Sequence, residues 1–317
     1  MKKKLYILIS LSILLLAGCG IQSETIRFGA AGIGGMYYSF ANTFAGLAEQ
    51  DSGDTFEVKS TAGSAANLRL LSDNYIDLGI AQSDMIADAY SGTGLFKDNK
   101  LTGYKAIANL YPEACQIVVR NESDIQTLDD LQGKTVSIGE EESGTERNAT
   151  QMLEISGLNA KLINTVNLDY TDAAKELVAG KIDAMFCTAG VKTTVIEELS
   201  KENDIRLLSM DDKYRNKMIT AYPFYSEYTI PAGTYQGQTE DVNTLCVQSV
   251  LLANDRLSKE KVQKLTAMLF EHAQDIQLSN SLNVSLDVRQ AVKGITIPFH
   301  PGAAAYYSRH NVKVTSE

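Results

Sequence analysis

Residues 74–80 read Asn-Tyr-Ile-Asp-Leu-Gly-Ile, and residues 180–186 read Gly-Lys-Ile-Asp-Ala-Met-Phe, the same pattern displaced by 106 positions. Each copy leaves a helical stretch, passes through Ile-Asp and enters an unbroken apolar run, the signature of a strand covered on both faces. A spacing of 106 residues is far too long for a solenoid repeat and suits two α/β lobes of similar design.

Working outward from the first copy, alternating and helical patterns predict a strand over 25–30 and a helix over 37–49, with Phe40, Phe44 and Leu47 on one face. A strand over 56–60, a helix over 64–72, the strand over 77–81 and a helix over 83–90 follow. Around the second copy the order returns: strand 135–139, helix 144–156, strand 160–165, helix 171–179, strand 182–186. Strands alternating with helices predict a largely parallel sheet. Residues 107–120 carry strand patterns on both sides of Tyr111-Pro112-Glu113 and predict a crossing between lobes. A return crossing is expected within 229–250, so that the helical stretch 258–278 packs on lobe one. The expected organisation is residues 25–112 with 232–317 as lobe one and 113–231 as lobe two.

The chain has 317 residues, 44% hydrophobic and 21% charged, which excludes long disorder and a multi-span membrane protein. Lys2, Lys3 and Lys4 precede an apolar run from Leu5 to Leu16, the pattern of a secretory signal over residues 1–18. That run is about 12 residues, short of the ~20 that span a bilayer. It ends Leu16-Ala17-Gly18-Cys19, which resembles a bacterial lipobox. The resemblance implies cleavage before Cys19, a diacylglyceryl group of palmitate type on its sulfur, a tether over 19–24, and an extracytoplasmic protein held at the cell membrane. Loss of three lysines takes the net charge from −10 to −13, which argues against nucleic acid as a partner. The remaining cysteines, Cys115, Cys187 and Cys246, have no CxxC and no histidine at metal-ligand spacing, so they read as buried thiols, with one disulfide left open. No metal and no cofactor is expected.

In an open α/β sheet the ligand crevice lies beyond the carboxyl ends of the strands. Four segments stand there. Gly32-Ile33-Gly34-Gly35-Met36-Tyr37-Tyr38 combines a glycine turn, a helix start and two tyrosines, at least one of which must leave the core. Thr61-Ala62-Gly63-Ser64 opens a helix, with Ser64 placed as an N-cap. Gln82, Ser83 and Asp84 follow a buried strand. Glu140-Glu141-Glu142-Ser143-Gly144-Thr145-Glu146-Arg147 is the counterpart in the second lobe, where Arg147 reads either as a bidentate carboxylate partner or as a surface partner of the glutamates. Catalytic patterns are missing: there is no GxSxG, SxxK, HExxH or GxxxxGK[ST], and nothing but coexistence links Cys187 with His300.

Together and in this order, Gly34-Gly35-Met36-Tyr37-Tyr38, Thr61 to Leu71, Ile76 to Asp84, Asp130 to Gly139, Ser143-Gly144-Thr145, Ile230 to Tyr235 and Ile297 to Ala303 resemble the TAXI-type solute receptors of TRAP transporters, over about residues 26–310. The resemblance implies a two-lobed periplasmic binding protein type II-like fold with a hinge and an interlobe ligand cleft. It also implies no catalysis, a small organic solute such as a glutamate-like amino acid or carboxylate, delivery to TRAP permease subunits, and a monomer. The ligand-binding residues expected on position are Tyr37, Tyr38, Ser64, Gln82, Ser83, Ser143, Gly144, Thr145, Arg147, Thr188 and Gly190. Glu140 to Glu142 depart from the family pattern of Gly-Pro and small residues before Ser-Gly-Thr. Other readings are the binding component of an ABC importer, a surface interaction protein or adhesin on the same fold, and a thiol enzyme.

Overall fold

A computed structural model describes residues 25–280 and 286–316; the signal, Cys19 and tether expectations lie outside the described residues. The first unit runs β1 (Thr25–Gly29), α1 (Met36–Ser52), β2 (Thr55–Lys59), α2 (Ser64–Ser72), β3 (Leu78–Gln82), α3 (Ser83–Ser91). The long strand β4 (Tyr104–Arg120) leads to β5 (Thr135–Ser137), α4 (Gly144–Ile155), β6 (Asn164–Val166), α5 (Tyr170–Val178) and β7 (Ala184–Gly190). Then come α6 (Thr194–Glu202), β8 (Ile205–Leu207), α7 (Asp212–Ala221), β9 (Ser226–Ile230), β10 (Val242–Asn254), α8 (Lys259–Glu271), α9 (Ala273–Ser279) and α10 (Pro301–Arg309).

The sheet order is β2-β1-β3-β10-β4-β7-β5-β6, with β8 paired to β4 and β9 to β10. Within each half the pairs are parallel, β1 with β2 and β3, β5 with β6 and β7. The two long strands run antiparallel to their neighbours, which makes the sheet mixed rather than largely parallel. Tyr111-Pro112-Glu113, expected as a break between two strands, lies inside one continuous strand of 17 residues.

The repeated Ile-Asp does the same work twice. Ile76 and Ile182 are buried, and each aspartate fastens its turn to the first strand of its own half. The Asp77 carboxylate accepts from Arg27 N at 2.9 Å, and the Asp183 carboxylate accepts from Thr135 N at 2.8 Å. The aspartate N–H groups return the bond to Arg27 O and Thr135 O. A carboxylate taking backbone N–H bonds at a strand start satisfies donors that the short parallel ladder leaves open.

The buried side chains form separate cores. One contains Phe28, Phe40, Phe44, Tyr104, Leu251 and Tyr307; the other two flank the second half of the sheet, around Val136, Met152 and Phe186, and around Leu177, Met185 and Ile196. The first is built from residues up to 111 and from 250 onward, the others from 114 to 247. α8 and α9 join the first core, as expected for 258–278. Cys115, Cys187 and Cys246 are buried and free.

Candidate functional site

Four loops at strand ends meet between the halves. α1 starts after a turn in which Gly34 takes φ 89°, a conformation that favours glycine, and its first residues face the second half. A Cβ on Gly34 would touch Thr171 and Val195, and Gly35 lies against the Tyr170 ring. α2 starts after Gly63, whose hypothetical Cβ would lie 3.5 Å from Ser143 Cα. Ala65 N–H donates to Glu142 O at 3.0 Å, so the α2 start is bonded to the loop before α4. Two ion pairs bridge the same seam, Arg69 to Glu142 at 2.9 Å and Arg147 to Asp88 at 3.1 Å. The halves are therefore closed on each other.

Between them lies a cavity of about 50 Å³, lined by Gly35, Met36, Tyr37, Ala62, Gly63, Ser64 and Gln82 from one half, and by Glu140, Ser143, Gly144, Thr145, Asp169, Tyr170, Thr188 and Ala189 from the other. Glu113 lines it from β4. One water needs roughly 10–15 Å³ by this measure, so the closed cleft has room for a small molecule and none for a polymer.

Of the residues expected from sequence, Tyr37, Ser64, Gln82, Ser143, Gly144, Thr145 and Thr188 line the cavity. Four do not. Tyr38 is half-buried against the core of the first half. Ser83 faces a separate groove with Leu110, Pro112 and Phe224. Gly190 lies past the lining Ala189, where a Cβ would press on Met36 and Tyr111. Arg147 is committed to Asp88, because the α4 turn that carries it points its side chain along the seam, not into the cavity. Ser64 is the first helical residue, not the cap; its hydroxyl accepts from Gln82 N at 3.1 Å. Ser143 does cap its helix, accepting from Glu146 N at 3.0 Å.

Glu113, Asp169 and Tyr170 were not among the residues expected from sequence, whereas Glu140 belongs to the second-lobe segment placed at the crevice and does line the cavity. Glu113 had a signal, since it is a lone carboxylate inside an apolar strand. It is 2% exposed, and the Tyr37 hydroxyl donates to its Oε2 at 2.9 Å. Burial raises its pKa from 4.5 to about 8, against the Tyr37 and Gln82 hydrogen bonds, which favour the charged form; the nearby Asp84 adds to the rise. Asp84, also buried, is raised to about 6 by desolvation, with Arg147 opposing. Tyr170 donates to Thr188 O at 3.0 Å, so the 2.6 Å contact with Thr145 must carry the threonine proton. Thr145 Oγ1 also accepts from Thr188 N at 3.1 Å, which leaves Thr145 a wall residue with its donor used. Gln82 Oε1 is buried without a partner.

The thiol chemistry weighed from sequence does not assemble. Cys187 is buried in β7 with its pKa pushed up to about 12 by desolvation, while His300 caps α10, its Nδ1 accepting from Gly302 N. Among the described residues no cluster of metal-binding side chains occurs, and no helix is long and apolar enough to cross a membrane.

Two α/β halves joined by long strands and closed over a polar cleft define a periplasmic binding protein type II-like fold, as solved structures show. The binding-protein component of an ABC phosphonate transporter from Pseudomonas aeruginosa superposes with a TM-score of 0.55 at 12% identity, over 82% of this chain and 80% of its own. A protein of Bordetella bronchiseptica RB50 gives 0.54 at 15%, over 92% and 83%. The alkanesulfonate-binding protein SsuA from Xanthomonas axonopodis pv. citri, bound to MOPS, gives 0.49 at 17%, over 81% and 78%. The sequence profile of the NMT1-like family matches residues 28–309, and the chain belongs to that family.

Proposed function

We propose that this protein is a solute-binding component of a membrane importer, which captures a small organic solute in the interlobe cleft and delivers it to a permease. The observation that carries this reading is a closed cleft whose walls come from strand ends and helix starts of both halves, held shut by Ala65–Glu142, Arg69–Glu142 and Arg147–Asp88. Hinge closure around a ligand is the common working motion of such receptors. The moving bodies in this reading are residues 25–112 with 232–317, and 113–231; the packing of Tyr235, Val242 and Leu245 with the second half supports a return crossing nearer residue 248.

The permease in this reading is of ABC type, supported by the Pseudomonas aeruginosa relative, itself part of an ABC phosphonate transporter. A TRAP permease is the second reading, supported by the sequence motifs quoted above. Cys19 would carry the lipid that holds the receptor at the outer face of the cell membrane. Protein purified without denaturation should release a small solute when unfolded, identified by mass spectrometry. The stripped protein should show a smaller radius of gyration when that solute is restored; no released solute and an unchanged radius would reject the receptor. Reconstitution with the permease separates the two partners, because ABC uptake follows ATP and TRAP uptake follows an ion gradient.

A further inference from the structure

We infer that the solute carries a protonated amine, received by Glu113 and the Gln82 amide oxygen, so that the receptor takes amino-acid-like zwitterions and rejects plain carboxylates. This rests on the receptor reading and narrows its ligand class. Three carboxylates, Glu113, Glu140 and Asp169, line the cavity, and no Lys, Arg or His does. The two arginines at the seam are held by carboxylates of their own, Arg69 by Glu142 and Arg147 by Asp88. Glu113 forms no ion pair with any described residue; burial holds off its charged form, and a ligand cation is the partner that would restore it. Gln82 Oε1 is a second acceptor, buried and unpartnered in the same wall. Ammonium is all donor and no acceptor, so it matches both. Next to Gln82, α4 presents the N–H groups of its first turn and the Ser143 hydroxyl, so the carboxylate of the same molecule would sit beside its amine, as it does in an α-amino acid.

Proton release accompanies such binding. The titratable groups that act with Glu113 are Tyr37 from α1, Asp84 from α3, Tyr111 and Cys115 on its own strand, Tyr170 from α5, Cys187 from β7 and Cys246 from β10. The tyrosines and thiols are all pushed upward by burial and are neutral at pH 7. In the closed cleft burial raises the Glu113 pKa to about 8, so its carboxyl is mostly protonated until an ammonium pairs with it and sends that proton to solvent.

Stripped protein is titrated with the twenty L-amino acids and with their desamino counterparts, glutamate against glutarate and alanine against propionate among them. At least one amine member is expected to bind about a hundredfold tighter than its desamino partner. Calorimetry in phosphate and in Tris at pH 7 should report close to one proton released per molecule bound. Glu113→Gln, which keeps shape and the Tyr37 contact, should lose about a hundredfold in affinity and the proton release together. Equal binding of a desamino acid, or wild-type affinity within threefold in a folded Glu113→Gln, would overturn the amine assignment and leave the receptor standing. Should Glu113→Gln fail to fold, proton release by the wild type decides alone. No binding across the whole panel also overturns it, and solute release on unfolding then judges the receptor reading separately.

Discussion

Gly144→Ala should block closure while leaving the fold intact. Gly144 is the first residue of α4, and a Cβ there would lie 2.3 Å from Gln82 Cδ and Oε1 and 2.6 Å from Nε2. Carbon contacts settle near 3.5–4.0 Å, so more than ~1 Å must be found. Gln82 is buried, belongs to the opposite half and lines the cavity, so room for the methyl comes only by pushing its amide into the space of the ligand. The clash therefore exists only when the halves meet. Overpacking of this kind costs about 1–3 kcal/mol, which is about 5- to 150-fold in affinity. The open form escapes it, and exchanging Gly for Ala at a helix start helps the helix by at most ~1 kcal/mol. Calorimetric titration with the solute recovered from wild-type protein should show that loss, with the melting temperature of the empty variant equal to wild type or slightly higher. Gly46→Ala is the control, since nothing lies within 4 Å of its Cβ position in the middle of α1. It should stabilise by about 0.5–1 kcal/mol without touching affinity. Binding by Gly144→Ala within twofold of wild type would mean that this closed seam is not the ligand-bound form.

Arg147→Ala removes a pair whose side chains are 27% and 20% exposed, so it should cost at most ~1 kcal/mol, about fivefold in affinity; a loss above about tenfold would return Arg147 to the ligand. Glu113 keeps its proton in the native state up to about pH 8, while the unfolded chain releases it near 4.5. Its contribution is thus complete below 4.5 and lost as pH rises toward 8. Urea midpoints of the wild type without solute should fall relative to Glu113→Gln across that window, and parallel curves would refute it; Asp84, raised to about 6, titrates in both proteins, and its coupling to Glu113 is part of the difference. Cys19→Ser should release the protein from membranes or leave the precursor uncut, as fractionation and mass measurement would show; a variant that stays acylated would sink the lipobox reading.

The repeat of Ile-Asp made two similar halves legible, because one physical task, latching a strand start with a carboxylate, needs the same residues each time. The helix start at Ser143 was legible for the same reason, since the serine caps it; at Ser64 the start was legible although the capping expected of its hydroxyl is replaced by a bond from Gln82 N. What escaped was set by tertiary position. β4 continues through Pro112, which stands opposite Gln248 in an in-register stretch, and the register with β10 shifts only beyond Tyr111, between Ser249 and Val250 and again between Leu251 and Leu252, a long-range pairing that local sequence does not show. Arg147 looked like a ligand partner because local spacing cannot show Asp88, 59 residues earlier, waiting across the seam. Asp169 and Tyr170 followed no expected site motif, and only the meeting of α1 with α5 brings them to the cavity. α7 was missed since its polar face leaves few buried residues, Arg215 and Met218.

The position of β10 also dictates an order of assembly. β3 is buried along its whole length, and one of its two edges is covered only by β10, which arrives some 170 residues later in the chain. As the polypeptide emerges from the amino end, the second half owns most of its elements before the first half can be completed. Until residues 249–253 appear, Leu78 to Gln82 presents an apolar strand with an unpaired edge, the kind of surface that recruits other chains. A chain cut short between about 231 and 248 should therefore aggregate through β3 instead of persisting as a soluble fragment.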